Sequence, residues 1–252
     1  MIRIENIHKS FGDVEVLKGM DFVFEAGKTN LIIGRSGAGK TVLLKILVGL
    51  FEPTKGKVWY DSRDFFTLSK DELRKLRMEV GMLFQGNALF DSMTVEENVR
   101  FPLDMFSKLT LKEKNQRVNE CLSRVSLDGS NNKYPSEISG GMQKRVGIAR
   151  AIVYKPKYLF CDEPNSGLDP KTSITIDELI KEITVADNIT TVINTHDMNS
   201  VMEIGDNICF LDKGKIVWEG NRNEVMDSEN ENLNSFMFAS PFLQRLKERA
   251  KK

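Results

Sequence analysis

The sequence predicts an α/β protein built on a mainly parallel sheet covered by helices on both faces. Two observations carry this: short apolar runs that lack polar alternation, and helical patterns set between them. A strand buried on both faces needs an unbroken apolar run, and a parallel neighbour needs a crossover to reach it. In order, residues 29–33 (Thr-Asn-Leu-Ile-Ile) read as a buried strand and 41–50 as the helix after it. Residues 80–84 and 158–161 are two more apolar runs of strand length. Residues 170–186 read as a helix, 190–194 as a strand and 207–211 as another. At 212–218 a strand, a Gly turn at Gly214 and a second strand follow one another.

The middle of the chain differs. Between residues 85 and 155 the pattern is mostly helical and polar, which suggests a helical insert in the α/β core. Thr110-Leu111-Lys112-Glu113 fits a capping box, with Val118, Cys121, Leu122 and Val125 on one face of the helix it starts. Ser69-Lys70-Asp71-Glu72 is a second capping box, ahead of Leu73 and Leu76. Residues 70–77 alternate in charge and read as a solvated helix face. No internal repeat or low-complexity tract is present, and residues 227–234 are polar enough for a loop.

Composition narrows the class. Of 252 residues, 36 are Lys or Arg and 36 Asp or Glu, so the formal net charge is zero. That balance lacks the basic footprint of a dedicated nucleic-acid binder. A chain 40% hydrophobic and 29% charged has the make-up of a folded globular protein. No run approaches the roughly 18 apolar residues of a membrane-spanning helix. The most apolar, residues 42–51, is broken by Lys45. Met1-Ile2-Arg3-Ile4-Glu5 is not a signal-peptide start. Cys121, Cys161 and Cys209 form no CxxC pair and suggest buried thiols in a reducing compartment. The eleven Met residues need only a packing role. The expectation is a soluble cytoplasmic protein.

Three motifs carry chemistry. Gly34-Arg35-Ser36-Gly37-Ala38-Gly39-Lys40-Thr41 matches G-x-x-x-x-G-K-[ST] between a predicted strand and a predicted helix. Glycines there let backbone N–H groups and the helix N-terminus close on phosphate. Lys40 would reach the β- and γ-phosphates, and the Thr41 hydroxyl would hold Mg²⁺. The bland alternative, a chance Gly-rich turn, does not explain the full pattern in that context. Asp162, at the carboxyl end of a buried strand, lies where open α/β sheets bind ligands and could serve the Mg²⁺ shell. Glu163 is placed to take a proton from attacking water. Alone, the two could be an acidic cap beside Pro164. Ser139-Gly140-Gly141 before the helical stretch 146–152 would make another anion-binding N-terminus. Two phosphate-grasping elements in one chain fit two copies meeting head to tail around each nucleotide, although this fragment alone could be a plain helix cap.

With these residues in order, the chain resembles the ATP-binding subunit of an ABC transporter over about residues 1–220. The motifs matched are Phe11, the phosphate loop, Gln85, Ile138-Ser139-Gly140-Gly141, Asp162-Glu163, Ser166-Gly167-Leu168-Asp169 and Thr195-His196-Asp197. The resemblance implies a P-loop NTPase core with a mainly parallel sheet, an antiparallel β subdomain and a helical subdomain inserted at about 86–155. Residues 221–252 would form a C-terminal extension. It implies ATP and Mg²⁺ as cofactors, ATP hydrolysis, and a head-to-tail dimer with ATP sandwiched between the copies.

The resemblance also implies a role for each position. Phe11 would stack on adenine, where the family more often has Tyr. Gly34, Arg35, Ser36, Gly37, Ala38, Gly39, Lys40, Thr41 and Val42 would cradle the phosphates. Thr41, Gln85 and Asp162 would hold Mg²⁺, and Gln85 would also touch the attacking water. Ser139, Gly140 and Gly141 would clamp the γ-phosphate held by the opposite copy, and Asp169 would link the two sites. Glu163 would be the base, with His196 holding the γ-phosphate and water in place. Met142 stands where the family usually has Gln, and Ile138 where it usually has Leu. The expected result is altered dimer contacts with hydrolysis retained. His8 has no such context and takes no role.

The cargo reading rests on the same kind of likeness. Residues 84–99, with Phe101-Pro102-Leu103 after them, resemble the lipid-transport group that works with MCE-type proteins, including the Mla-type system of outer-membrane lipid asymmetry. Tyr134-Pro135-Ser136-Glu137 is similar to the importer-like branch. The likeness implies phospholipid transport between inner and outer membranes, an integral membrane permease, an MCE-domain lipid-binding protein and no nucleic-acid partner. It places the chain peripherally on the cytoplasmic face of a bacterial inner membrane. An apolar, half-exposed segment would equally serve any permease. An ABC transporter for an amino acid, a metal chelate or a lipoprotein, and a soluble ABC ATPase of cluster assembly, therefore stay open. Ser240-Pro241 reads as a helix start, with Phe242, Leu243, Leu246 and Ala250 opposite Arg245, Lys247 and Arg249. The resemblance favours a grip on the neighbouring ATPase subunit, with its own core and the membrane surface as alternatives.

Overall fold

The chain builds part of a first unit, leaves it at Leu68 for a second formed by Ser69–Ile189, and returns to the first at Thr190. The computed structural model describes residues 1–239 together with Arg245 and Lys247.

The first unit opens with antiparallel strands β1 (Ile2–Phe11) and β2 (Val14–Phe24). Ile2, Ile4 and Ile7 of β1 are buried, and the register slips between Ile4 and Ile7, with Asn6 at φ 48°. This bulge moves the apolar period by one residue, so the strand does not read as a simple alternation. Next come β3 (Thr29–Gly34), every residue buried, and α1 (Lys40–Leu47). The helix ends before the predicted residue 50 because Gly49 turns left-handed at φ 75° and the Leu50 N–H bonds back to Lys45 O. β4 (Lys55–Tyr60) and β5 (Arg63–Asp64) complete a four-stranded antiparallel sheet in the order β2-β1-β4-β5.

In the second unit α2 (Lys70–Met78) leads to β6 (Val80–Leu83), followed by α3 (Val95–Phe106) and α4 (Leu111–Arg124). After these, α5 (Gly140–Ile152), β7 (Tyr158–Asp162) and α6 (Pro170–Ala186) complete it. β6 and β7 pair in parallel. The capping boxes at Ser69 and Thr110 both form, and a third joins Thr94 to Glu97 at the start of α3. Val118, Cys121, Leu122 and Val125 are buried together.

Back in the first unit, β8 (Thr190–Asn194) pairs in parallel with β3; after α7 (Met198–Ile204), β9 (Asn207–Asp212) pairs in parallel on β3's other side. β10 (Lys215–Gly220) folds back antiparallel to β9 through Lys213 and Gly214, both left-handed at φ 46° and 83°. That is the two-residue turn whose twist suits a hairpin.

The stretch expected to be a loop at 227–234 is instead largely structured. α8 (Arg222–Asp227) and α9 (Glu231–Met237) are short helices capped by the Asn221 and Asn230 side chains. Burial of Val225, Leu233 and Met237 offsets the polarity that suggested a loop. The helix expected from Ser240 lies outside the described residues except for Arg245 and Lys247. Lys247 donates to Ser228 O and Asn234 of its own chain and lies over the Phe238 ring. Among the described residues no helix is long and apolar enough to cross a membrane, and all three cysteines are buried and free.

Candidate active site

In the first unit, the phosphate loop runs from the buried end of β3 into α1. Gly39, the residue capping α1, sits at φ 107°, and a Cβ there would lie 2.6 Å from Leu17 Cδ2 of β2. Only glycine holds this place. No side chain caps α1, so its first N–H groups are left for an anion. Lys40 is buried, and its Nζ donates to Gly34 O at 2.8 Å and Arg35 O at 3.3 Å, folding the ammonium over the loop. Arg35, Ser36, Gly37 and Thr41 are exposed along its rim. Arg35 reaches away from the loop, its Nη2 donating to Ser235 Oγ of α9 at 2.9 Å.

The same unit carries Phe11 and His196. Phe11, at the end of β1, is 44% exposed, packs edge-on against Phe51 at 5.4 Å and has Lys9 Nζ 5.1 Å from its ring. An exposed face of this kind can receive a flat base. His196 is exposed just after β8, where the Asp197 N–H bonds to Thr195 Oγ1 and the Asp197 side chain caps α7. His8 has no such exposure to a ligand; its ring lies between Glu15 Oε1 and Asn6 Oδ1.

In the second unit, Asp162 is the last residue of β7, and Glu163 follows it in a left-handed conformation, φ 49°. A non-glycine residue at that angle is strained, and such strain gathers at functional sites. The Ser166 N–H bonds to Glu163 O at 3.1 Å, so the Glu163 turn and the Ser166-Gly167-Leu168-Asp169 segment are one structure. Gln85 follows β6 and donates from Nε2 to Ser166 Oγ at 3.4 Å. Ser139 caps α5 by accepting from the Met142 N–H, which leaves Gly140 exposed and Gly141 half-buried. Asp169 caps α6; its hydrogen bonds with Thr172 hold its carboxyl below the usual carboxylate range.

Thr41, Gln85 and Asp162 offer a hydroxyl, an amide and a carboxylate. All-oxygen donors of this kind suit the hard cation Mg²⁺. The sequence assigns no role to Lys144 or Arg150, which donate to the carbonyls of Gln85 (Lys144) and of Asn87 and Ala88 (Arg150). Their signal is a helix with three cations, Lys144, Arg145 and Arg150, on which the residues from Val146 to Ile152 other than Arg150 are apolar or glycine. Asn98 was also missed. It is fully buried and binds Phe90 N, Phe90 O, Met93 O and Thr94 O, holding the loop between β6 and α3.

A family model described as ABC transporter matches residues 17–166. The chain belongs to this family. It is 39% identical over 229 residues to the methionine import ATP-binding protein MetN 2 of Pseudomonas entomophila, covering 89% of this chain and 68% of that one. To the probable ribonucleotide transport ATP-binding protein mkl of Mycobacterium tuberculosis it is 37% identical over 236 residues, covering 94% of this chain and 66% of that one. Among solved structures, the bacterial ABC transporter cassette MJ0796 in its dimeric form is 34% identical, with a TM-score of 0.79 over 88% of this chain and 99% of that one. The same cassette is also known as a dimer in a post-hydrolysis state bound to ADP and Pi. This ABC transporter ATPase subunit accordingly binds ATP with Mg²⁺ and hydrolyses it to ADP and phosphate. The fold is the α/β ABC cassette, with its antiparallel sheet and parallel strands as expected.

Proposed function

We propose that this ATPase subunit powers phospholipid transport between the inner and outer membranes through an MCE-type complex. The observation that carries this reading is the segment from Phe84 to Leu103. It resembles the lipid-transport group in sequence, and in the structure it presents Phe84 and Phe90 to solvent, with the Phe90 ring tilted against Phe101 at 4.8 Å. Beyond it, a cavity of about 860 Å³ is lined by Leu103, Phe106, Leu109, Val153 and Tyr154 with Arg117. An apolar groove with a charged rim suits a short amphipathic helix of a permease. The chain then works peripherally at the cytoplasmic face of the inner membrane.

The division of labour follows from the residues. Two copies meet head to tail, so that Ser139, Gly140 and Gly141 of one approach the γ-phosphate held by Lys40 and the phosphate loop of the other. Phe11 stacks on the base. Glu163 takes a proton from water onto its carboxylate as the water oxygen bonds to the γ-phosphorus and the bond to the ADP oxygen breaks. His196 and Gln85 orient that water, and Asp169 lies between the two sites. Thr41, Gln85 and Asp162 would hold Mg²⁺, which supplies charge neutralisation at the phosphate oxygens.

A second reading, methionine or other amino-acid import, has the 39% identity to a methionine import ATP-binding protein in its favour. One experiment separates the two. Tagged Glu163→Gln, expressed in its host, is purified from detergent-solubilised membranes and the co-purifying proteins and lipids are identified by mass spectrometry. A permease with an MCE-domain protein and phospholipid is the expected result. A permease with a solute-binding protein would replace lipid by a soluble cargo.

A further inference from the structure

The turn that begins at Gln85 is held by two cations of α5. Asn87 and Ala88 are both left-handed, φ 60° and 49°, although neither is glycine. Left-handed backbone at two successive such residues persists only where the surroundings hold it. Here they do so from one side. Arg150 places Nη2 2.6 Å from Asn87 O and Nη1 2.7 Å from Ala88 O, and Lys144 places Nζ 2.9 Å from Gln85 O. Gly147 lies midway between them on α5, where a Cβ would come within 2.8 Å of Leu83 Cδ1. Spacing of three residues puts 144, 147 and 150 on neighbouring turns, and the missing side chain at 147 brings α5 close enough for both cations to reach. Lys144 is buried and Arg150 half-buried, so the bonds to Gln85 O and Asn87 O are partly shielded from water, while the bond to Ala88 O lies at the surface.

We propose that Arg150, assisted by Lys144, is a positioning residue for Gln85: it fastens the turn that carries Gln85 to the helix that carries Ser139-Gly140-Gly141, so that both move as one body. Guanidinium geometry matters here, since a fork spans two carbonyls and an ammonium does not. A displacement of Gln85 is thereby a displacement of the γ-phosphate clamp offered to the other copy. This inference rests on the role proposed above for Gln85.

The test uses the full chain, with Arg150→Lys, Gln85→Ala and the double variant. Hydrogen exchange is followed in peptides spanning residues 84–90, and ATPase rates are measured against ATP concentration. Arg150→Lys is expected to raise exchange at 86–89 at least tenfold and to lower kcat about tenfold, with KM for ATP within twofold. In the Gln85→Ala background it should lower kcat no further. Unchanged exchange would overturn the clamp. Faster exchange with kcat losses that multiply in the double variant would overturn its action through Gln85. Should Gln85→Ala alone leave kcat intact, the assignment of Gln85 is at fault, and the exchange result by itself upholds or removes the clamp. If Arg150→Lys does not fold, Lys144→Gln, which gives up one bond to Gln85 O, passes through the same cycle with the same criteria.

Discussion

Gly141, in the first turn of α5, faces Thr172 in the first turn of α6 so closely that a Cβ at 141 would lie 2.7 Å from Thr172 Cγ2. The glycine read in the sequence as an anion-binding residue is therefore also a packing contact. Gly141→Ala is expected to lower stability by roughly 1–3 kcal/mol, the usual cost of overpacking. Thr172→Ser removes Cγ2 and keeps the hydroxyl that bonds to Asp169. Urea unfolding of the double variant should therefore recover most of that loss. ATPase activity should stay low if the methyl also obstructs the phosphate approach; its full return would leave packing as the residue's whole purpose.

Glu163→Gln keeps the shape of the turn and removes the base. Hydrolysis should fall by about 10²–10⁴, while ATP affinity, measured by titration calorimetry, stays near that of the parent. Normal turnover would remove Glu163 from the role of base.

Lys40→Ala should act on binding. The ammonium rests on Gly34 O and Arg35 O, over the loop proposed to hold the phosphates. Its loss should raise the Kd for ATP by about tenfold or more, since a charged hydrogen bond contributes roughly 1.5–3 kcal/mol. An unchanged Kd would place the phosphates elsewhere.

Asn98 satisfies four backbone groups from a position with no solvent access. Asn98→Ala takes that partner from Phe90 N and Met93 O, while Phe90 O and Thr94 O keep the backbone N–H groups of residues 93 and 98, and a loss of about 2–3 kcal/mol in urea unfolding is expected. Asn98→Asp keeps one acceptor for Phe90 N and loses the donors to Phe90 O, Met93 O and Thr94 O, so it should not restore stability.

Burial pushes the Cys121 thiol up to about 11 and raises Cys161 and Cys209 as well. A raised pKa keeps a thiol protonated, so at pH 8 none of the three should react with a thiol reagent in the folded chain. All three should react in guanidinium. Rapid labelling of the native protein at any one would mean that its segment opens.

Much of this molecule is legible in its sequence because the information is local. The strand at 190–194 and the helix at 170–186 match the structure residue for residue, since a run of β-branched residues and an Asp-Pro helix start act within a few residues. The phosphate loop and the Asp162-Glu163 pair are likewise contiguous. What only the tertiary structure decided joins residues far apart in the chain. The bulge at Asn6 hides β1 from its own periodicity, and buried Leu233 and Met237 turn a polar stretch into α9. Arg35 meets Ser235, and Arg150 meets the carbonyls of Asn87 and Ala88. A carbonyl has no sequence signature, and neither does the partner a buried cation will find. Such pairings are chosen by which chain segments packing brings within hydrogen-bond reach, and by the cost of leaving a charge or a backbone oxygen unpaired away from water.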